Sequence, residues 1–101
     1  MRDADIPAYI QALKDGIKNS FGCDSTHINT VLVTETHKGQ KIWEGDVEVF
    51  ALHNNPEAKR AYSWGYPKEG RMEYISFLHV PPVDSPLKAV QASIIVSGDL
   101  F

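Results

Sequence analysis

Alternation of apolar and polar side chains with a period of two runs through four successive segments of this 101-residue chain. The four segments are 28–36, 43–51, 59–66 and 72–80. Lys38-Gly39 separates the first two, and residues 67–70 form a four-residue loop between the last two. Because short connections join antiparallel neighbours, the pattern predicts a four-stranded meander.

Segments with helical periodicity flank the four strands. The first is a helix near residues 6–20, whose apolar residues fall within an arc of roughly 120°, with Asp5 as N-cap and Leu13 at the centre of the stripe. Residues 86–97 fit both a helix and a strand, because their apolar residues also alternate. We interpret them as a helix, since Ser85 and Pro86 form a specific start signal.

This order of elements predicts a single α+β domain over residues 1–101. We expect a two-layer sandwich of α-β-β-β-β-α order, with an antiparallel meander sheet and both helices on one face. The order resembles that of double-stranded-RNA-binding domains. However, the stretch 85–88 carries a single lysine where those domains carry a basic cluster, so no family is assigned.

Charge and composition exclude several classes of protein. With 10 Lys and Arg against 13 Asp and Glu, the net charge of −3 argues against a strongly basic nucleic-acid binder. The apolar runs are far shorter than the roughly 20 residues that a transmembrane helix needs, so no membrane association is expected. The N-terminus does not resemble a secretory signal, and the single Cys23 fits a reducing compartment. We therefore predict a cytoplasmic protein.

Acidic residues recur at every second position of the second strand, at Glu44, Asp46 and Glu48. We interpret this row as a solvated outer face rather than as a cation site or an acid/base pair. A pocket with a histidine beside Glu44 or Glu48 would instead favour a ligand-binding domain or an enzyme. The chain has no phosphate-binding loop, nucleophile elbow or helical histidine pair, so we predict no cofactor, no metal site and no catalytic residues, and we favour a non-enzyme.

Aromatic and basic residues are interleaved around the third strand, and they are the main candidates for an interface or a ligand site. These residues are Lys59, Arg60, Tyr62, Trp64, Tyr66 and Arg71. Such a row suits a protein interface, a surface that stacks nucleic-acid bases, or a core. The large apolar side chains exceed what two helices on one face can cover. We therefore expect Trp64 to lie on a face that is open in the isolated subunit.

The leading hypothesis is a small interaction module that forms a homo-oligomer, as a dimer, through this aromatic sheet face, with a protein or nucleic-acid partner also possible. The first alternative is a nucleic-acid-binding module that uses the same aromatic and basic residues. The second alternative is a small ligand-binding domain or enzyme that uses the acidic row with a histidine.

Overall fold

A computed structural model of the chain describes residues 6–97 as two helices and four strands. The elements are α1 (Ile6–Phe21), β1 (Asp24–His37), β2 (Gln40–His53), β3 (Arg60–Lys68), β4 (Arg71–Leu78) and α2 (Pro86–Ser97). The strands form one antiparallel sheet in the order β1-β2-β3-β4. This confirms the α+β class, the meander and the order of elements. The predicted cap Asp5 lies outside the described residues.

Both outer hairpins close through two-residue turns whose backbones are left-handed. The φ angles are 52° and 79° at Lys38 and Gly39, and 53° and 79° at Glu69 and Gly70. Positive φ at both central positions is typical of a type I′ turn, in which glycine takes the second position without strain. Residues 67 and 68 therefore belong to β3, and the predicted four-residue loop is shorter than expected.

The ambiguous C-terminal segment is a helix, as predicted. The backbone N–H of Lys88 donates to Ser85 Oγ at 3.2 Å, which caps the first turn, and Pro86 occupies the first helical position. The cap satisfies amides that would otherwise lack an acceptor, and this favours a helix over a strand.

The two helices pack on opposite faces of the sheet. Phe50 of β2 and its partner Ala61 of β3 pack with Leu13 of α1, whereas the neighbouring pair Val49 and Tyr62 packs with α2. Successive residues of a strand point to opposite faces, so the two clusters are separate cores. The sandwich was expected to have two layers, with both helices on one face of the sheet. It has three layers instead, helix, sheet and helix, because β2 and β3 carry apolar side chains on both faces.

The sheet is divided along its middle. β2 pairs with β3 from Glu48 opposite Ser63 to Ala51 opposite Arg60, although both strands continue well beyond Glu48 and Ser63. Past this point β2 pairs only with β1, and β3 only with β4, within the described chain. We call the gap between the diverging hairpins the fork. It exposes backbone and side chains that a continuous sheet would cover.

Candidate functional site

The predicted aromatic row does share one face of β3, but α2 covers its centre. Tyr62 and Trp64 are each only 3% exposed and pack with Val90 and Ile94 in the core between the sheet and α2. The expectation that Trp64 lies on an open face is therefore wrong. Tyr66, at 38% exposure, is the member of the aromatic row that reaches the surface.

The predicted basic residues do not gather into one patch. Arg60 begins β3, whereas Arg71 begins β4 beside the turn at the other end of the hairpin. At about 3.3 Å per residue the nine-residue strand separates them by roughly 25 Å. Lys59 is exposed next to Arg60, and Arg71 Nε lies 3.1 Å from Glu73 Oε1. Neither end combines several free cations with exposed aromatic rings.

A cleft of about 580 Å³ opens at the fork, on the α1 side of the sheet. The first turns of α1 lie along it, and side chains from all four strands complete its lining. The lining residues are Ile6, Tyr9, Ile10, His27, Thr30, Trp43, Glu44, Gly45, Asp46, Glu48, Trp64, Gly65, Tyr66, Pro67 and Met72. A concave site of this size and mixed polarity matches the clefts in which proteins bind small molecules.

Tyr9 attaches the first turns of α1 to the fork. Its hydroxyl oxygen accepts the backbone N–H of Gly65 at 2.7 Å, a donor that a continuous sheet would pair with β2. A Cβ at Gly65 would lie 3.0 Å from the rings of Tyr9 and Tyr74, so glycine permits this close approach. Burial raises the pKa of Tyr9, which keeps the phenol neutral.

Two tryptophans bridge the fork. Trp43 of β2 and Trp64 of β3 meet edge to face with ring centroids 5.6 Å apart and an interplanar angle of 70°. Both rings also line a second cavity of about 670 Å³ on the α2 side. The pair thus forms a partition between the two cavities, and an occupant of either would touch an indole.

Glu48 is the buried polar residue of the cleft, with 5% of its surface exposed. His27 Nε2 donates to its Oε1 at 2.8 Å, and Thr30 Oγ1 donates to the same oxygen. Within residues 6–97, no hydrogen bond reaches Oε2. One carboxylate oxygen is therefore held in place by the protein while the other retains its capacity to accept.

The interpretation of the acidic row as a solvated face holds for two of its three members. Glu44 and Asp46 are exposed, but Glu48 is buried because it lies in the paired part of β2, opposite Ser63 of β3 and in contact with His27 and Thr30 of β1. Sequence reasoning missed this difference, since all three residues alternate identically. It did state that a histidine beside Glu44 or Glu48 in a pocket would favour a ligand-binding domain or an enzyme, and the structure places His27 beside Glu48 in the cleft.

Glu44 lies on the rim of the cleft in a small polar network. Lys41 Nζ donates to its Oε1 at 3.2 Å and Thr34 Oγ1 donates to its Oε2 at 3.1 Å. These two hydrogen bonds, together with the charge of Lys41, lower the pKa of Glu44. The Glu44 charge is thus partly satisfied by the protein.

Two further histidines have structural partners. His53 Nε2 lies 2.7 Å from Thr26 Oγ1, and His79 Nδ1 lies 2.5 Å from the Tyr62 hydroxyl. Cys23 is buried, and its Sγ accepts a hydrogen bond from Asn55 Nδ2 at 3.7 Å. Among the residues described, no three or more His, Cys, Asp or Glu side chains are placed to hold a metal ion.

No protein-family model, curated protein or solved structure matches this chain. Neither helix in the described part combines the length and apolar character required to cross a membrane. The function is therefore inferred from the geometry of the fork.

Proposed function

We propose that this domain binds a small molecule in the cleft between α1 and the fork. The observation that carries this proposal is Glu48, a buried carboxylate with one oxygen bonded by His27 and Thr30 and the other unpartnered in a concave site. Oε2 is not among the buried atoms that lack a partner, so it is accessible from the cleft and can accept a hydrogen bond from a ligand that replaces water there. The aromatic and aliphatic lining supplies apolar contact for the rest of the ligand.

The burial pattern favours this function over self-association through the aromatic row. An interface needs accessible anchor residues, and α2 already covers Tyr62 and Trp64. Nucleic-acid binding is favoured less because Arg60 and Arg71 lie at opposite ends of the hairpin. Tyr66 contributes to the cleft instead, where it lies among the lining residues.

A fragment screen read by tryptophan fluorescence tests the proposal. Both tryptophans of the chain line the cleft, so an occupant is expected to change the emission. Backbone amide shifts would place each hit, and we expect the largest shifts at Gly45, Gly65 and residues 6–10.

A matched pair of variants separates binding in the cleft from binding elsewhere. Asp46 and Leu32 are cross-strand partners, but only Asp46 lines the cleft, while Leu32 is 67% exposed. We expect Asp46→Tyr to block the binding of the hits and Leu32→Tyr to leave it unchanged. If Asp46→Tyr changes neither the affinities of the hits nor the backbone amide shifts that they cause, the cleft is not the binding site.

A further inference from the structure

The charged residues that line the cleft are acidic apart from His27, which already contacts Glu48. Glu44, Asp46 and Glu48 are present, and no Lys or Arg is among the lining residues. Lys41 satisfies Glu44 on the rim, which leaves Asp46 and Glu48 without a lysine or arginine partner within residues 6–97. A site of this kind attracts cations and repels anions, and partial exclusion of water strengthens both effects.

The position of Glu48 shows where a cationic group would bind. Its side chain is 7% exposed, and its free oxygen Oε2 belongs to a residue that lines the cleft. His27 and Thr30 both hold Oε1, so the carboxylate is oriented before a ligand arrives. A preorganised, poorly hydrated acceptor gives a charge-assisted hydrogen bond that is stronger than a neutral one.

The aromatic lining fits the same kind of ligand. Tyr9, Trp43 and Tyr66 each contribute to the wall, and Trp64 supports Trp43 from the side. Tryptophan and tyrosine rings attract organic cations through the negative potential of their faces. An inorganic cation fits less well, because no three acidic, histidine or cysteine side chains within residues 6–97 are placed to coordinate a metal ion.

We infer that the ligand of the cleft is an organic cation, a small amine or ammonium compound with an apolar or aromatic body, whose cationic group is bound by Glu48 and Asp46. This inference rests on the proposed function of the cleft as a small-molecule site. The cavity of about 580 Å³ accommodates a body of one or two rings beside the cationic group.

Three probes of matched size and different charge test the inference: benzylamine, benzyl alcohol and benzoate. Titration of each into the full chain, followed by tryptophan fluorescence and backbone amide shifts, gives three affinities for the cleft. We expect benzylamine to bind at least about tenfold more tightly than benzyl alcohol, and benzoate to bind most weakly.

Charge-removing variants assign the selectivity to the named carboxylates. Glu48→Gln is expected to weaken benzylamine about tenfold and to weaken benzyl alcohol, which offers a neutral donor, much less. Asp46→Asn lies at an exposed position, so it tests the same idea without altering a buried residue, and we expect a smaller loss. Glu57→Gln, at an exposed position outside the cleft lining, is the matched control and is expected to change neither affinity.

The outcomes separate this inference from the proposed function. Equal affinities for benzylamine and benzyl alcohol, or tighter binding of benzoate, would overturn the inference that the ligand is an organic cation. The proposal that the cleft binds a small molecule would stand. Binding of benzylamine that survives both Glu48→Gln and Asp46→Asn would also overturn it. No binding by the three probes, together with a fragment screen that yields no hit in the cleft, would overturn both.

Discussion

The two faces of the sheet are covered by one helix each, yet they are built differently. On the α2 side, the core extends from Val47 and Val49 across Tyr62 and Trp64 to β4. On the α1 side, the core around Leu13 and Phe50 covers the region where β2 and β3 still pair, and it gives way to the cleft at the fork. The comparison shows that each face combines a core with a cavity at the fork, and that the cavity on the α1 side is the one that contains the buried carboxylate of Glu48.

This division has a physical cause in the pairing of the strands. Where β2 and β3 separate, backbone groups lose their partners and the side chains between the hairpins lose their neighbours. On the α2 side the tryptophan pair spans the gap, while on the α1 side Tyr9 satisfies Gly65 and leaves the rest open. An opening in a sheet thus becomes a cavity on each face, and Tyr9, Gly65 and Glu48 give the cleft on the α1 side its polar groups.

The largest expected effect is a loss of stability when the Trp64 side chain is removed from the core on the α2 side. Trp64→Ala is expected to destabilise the protein by about 3–5 kcal/mol, because it removes a large buried side chain that packs on Trp43 and Phe77. Chemical denaturation measures the loss. Tyr66→Ala is the control on the same strand face, and a loss below about 1 kcal/mol is expected at this more exposed position. A variant Trp64→Ala that stays fully stable but dissociates from a dimer would instead establish the open aromatic interface.

Leu13→Ala tests the closed part of the α1 side. Leu13 is fully buried, as the helical stripe predicts, so we expect a loss of about 2–5 kcal/mol in chemical denaturation. Lys14→Ala, at the next position of the same helix, is expected to cost much less. Equal losses for the two variants would show that α1 does not dock through this stripe.

Glu48 and Glu44 sharpen the comparison within the α1 side, because they lie on one face of β2 but differ in burial. Glu48→Gln is expected to cost about 1–2 kcal/mol, since the bonds from His27 and Thr30 to a carboxylate become bonds to an amide. Glu44→Gln, at a fully solvated position, is expected to change stability much less than Glu48→Gln. Chemical denaturation of both variants under the same conditions measures the two losses in unfolding free energy. Equal small losses would show that Glu48 is solvated like Glu44.

The smallest expected effect is a shift in the titration of Glu44. Its pKa is lowered by hydrogen bonds from Lys41 and Thr34, so the stabilisation is present above the usual carboxyl range and is lost as the pH falls through the lowered pKa. A titration followed by side-chain carboxyl NMR is expected to show this lowered pKa. Lys41→Gln should move it back towards its ordinary value. If Lys41→Gln leaves the pKa of Glu44 unchanged, the contact between Lys41 and Glu44 does not persist in solution.

The local patterns were sufficient to predict every element of the fold. Periods of 3.6 and 2 located the helices and strands, and Ser85 with Pro86 identified α2 as a helix despite its alternating residues. These features depend on neighbours within a few residues, so the sequence carries them directly. The bulges were harder to predict. A glycine inside a strand often marks a bulge, yet Gly45 pairs regularly with Val33. The register between β1 and β2 shifts instead at Ile28 and Ile42.

The sequence by itself also determined which residues share a face, because alternation leaves no other choice along a strand. The tertiary structure decided which face each helix covers, how far β2 pairs with β3, and therefore why Trp64 is core and Glu48 lies in a cleft. Those outcomes depend on contacts between residues far apart in the chain. Two positions such as Glu44 and Glu48 are equivalent in a strand pattern and become different only when the tertiary structure places His27, Thr30 and Ser63 around one of them.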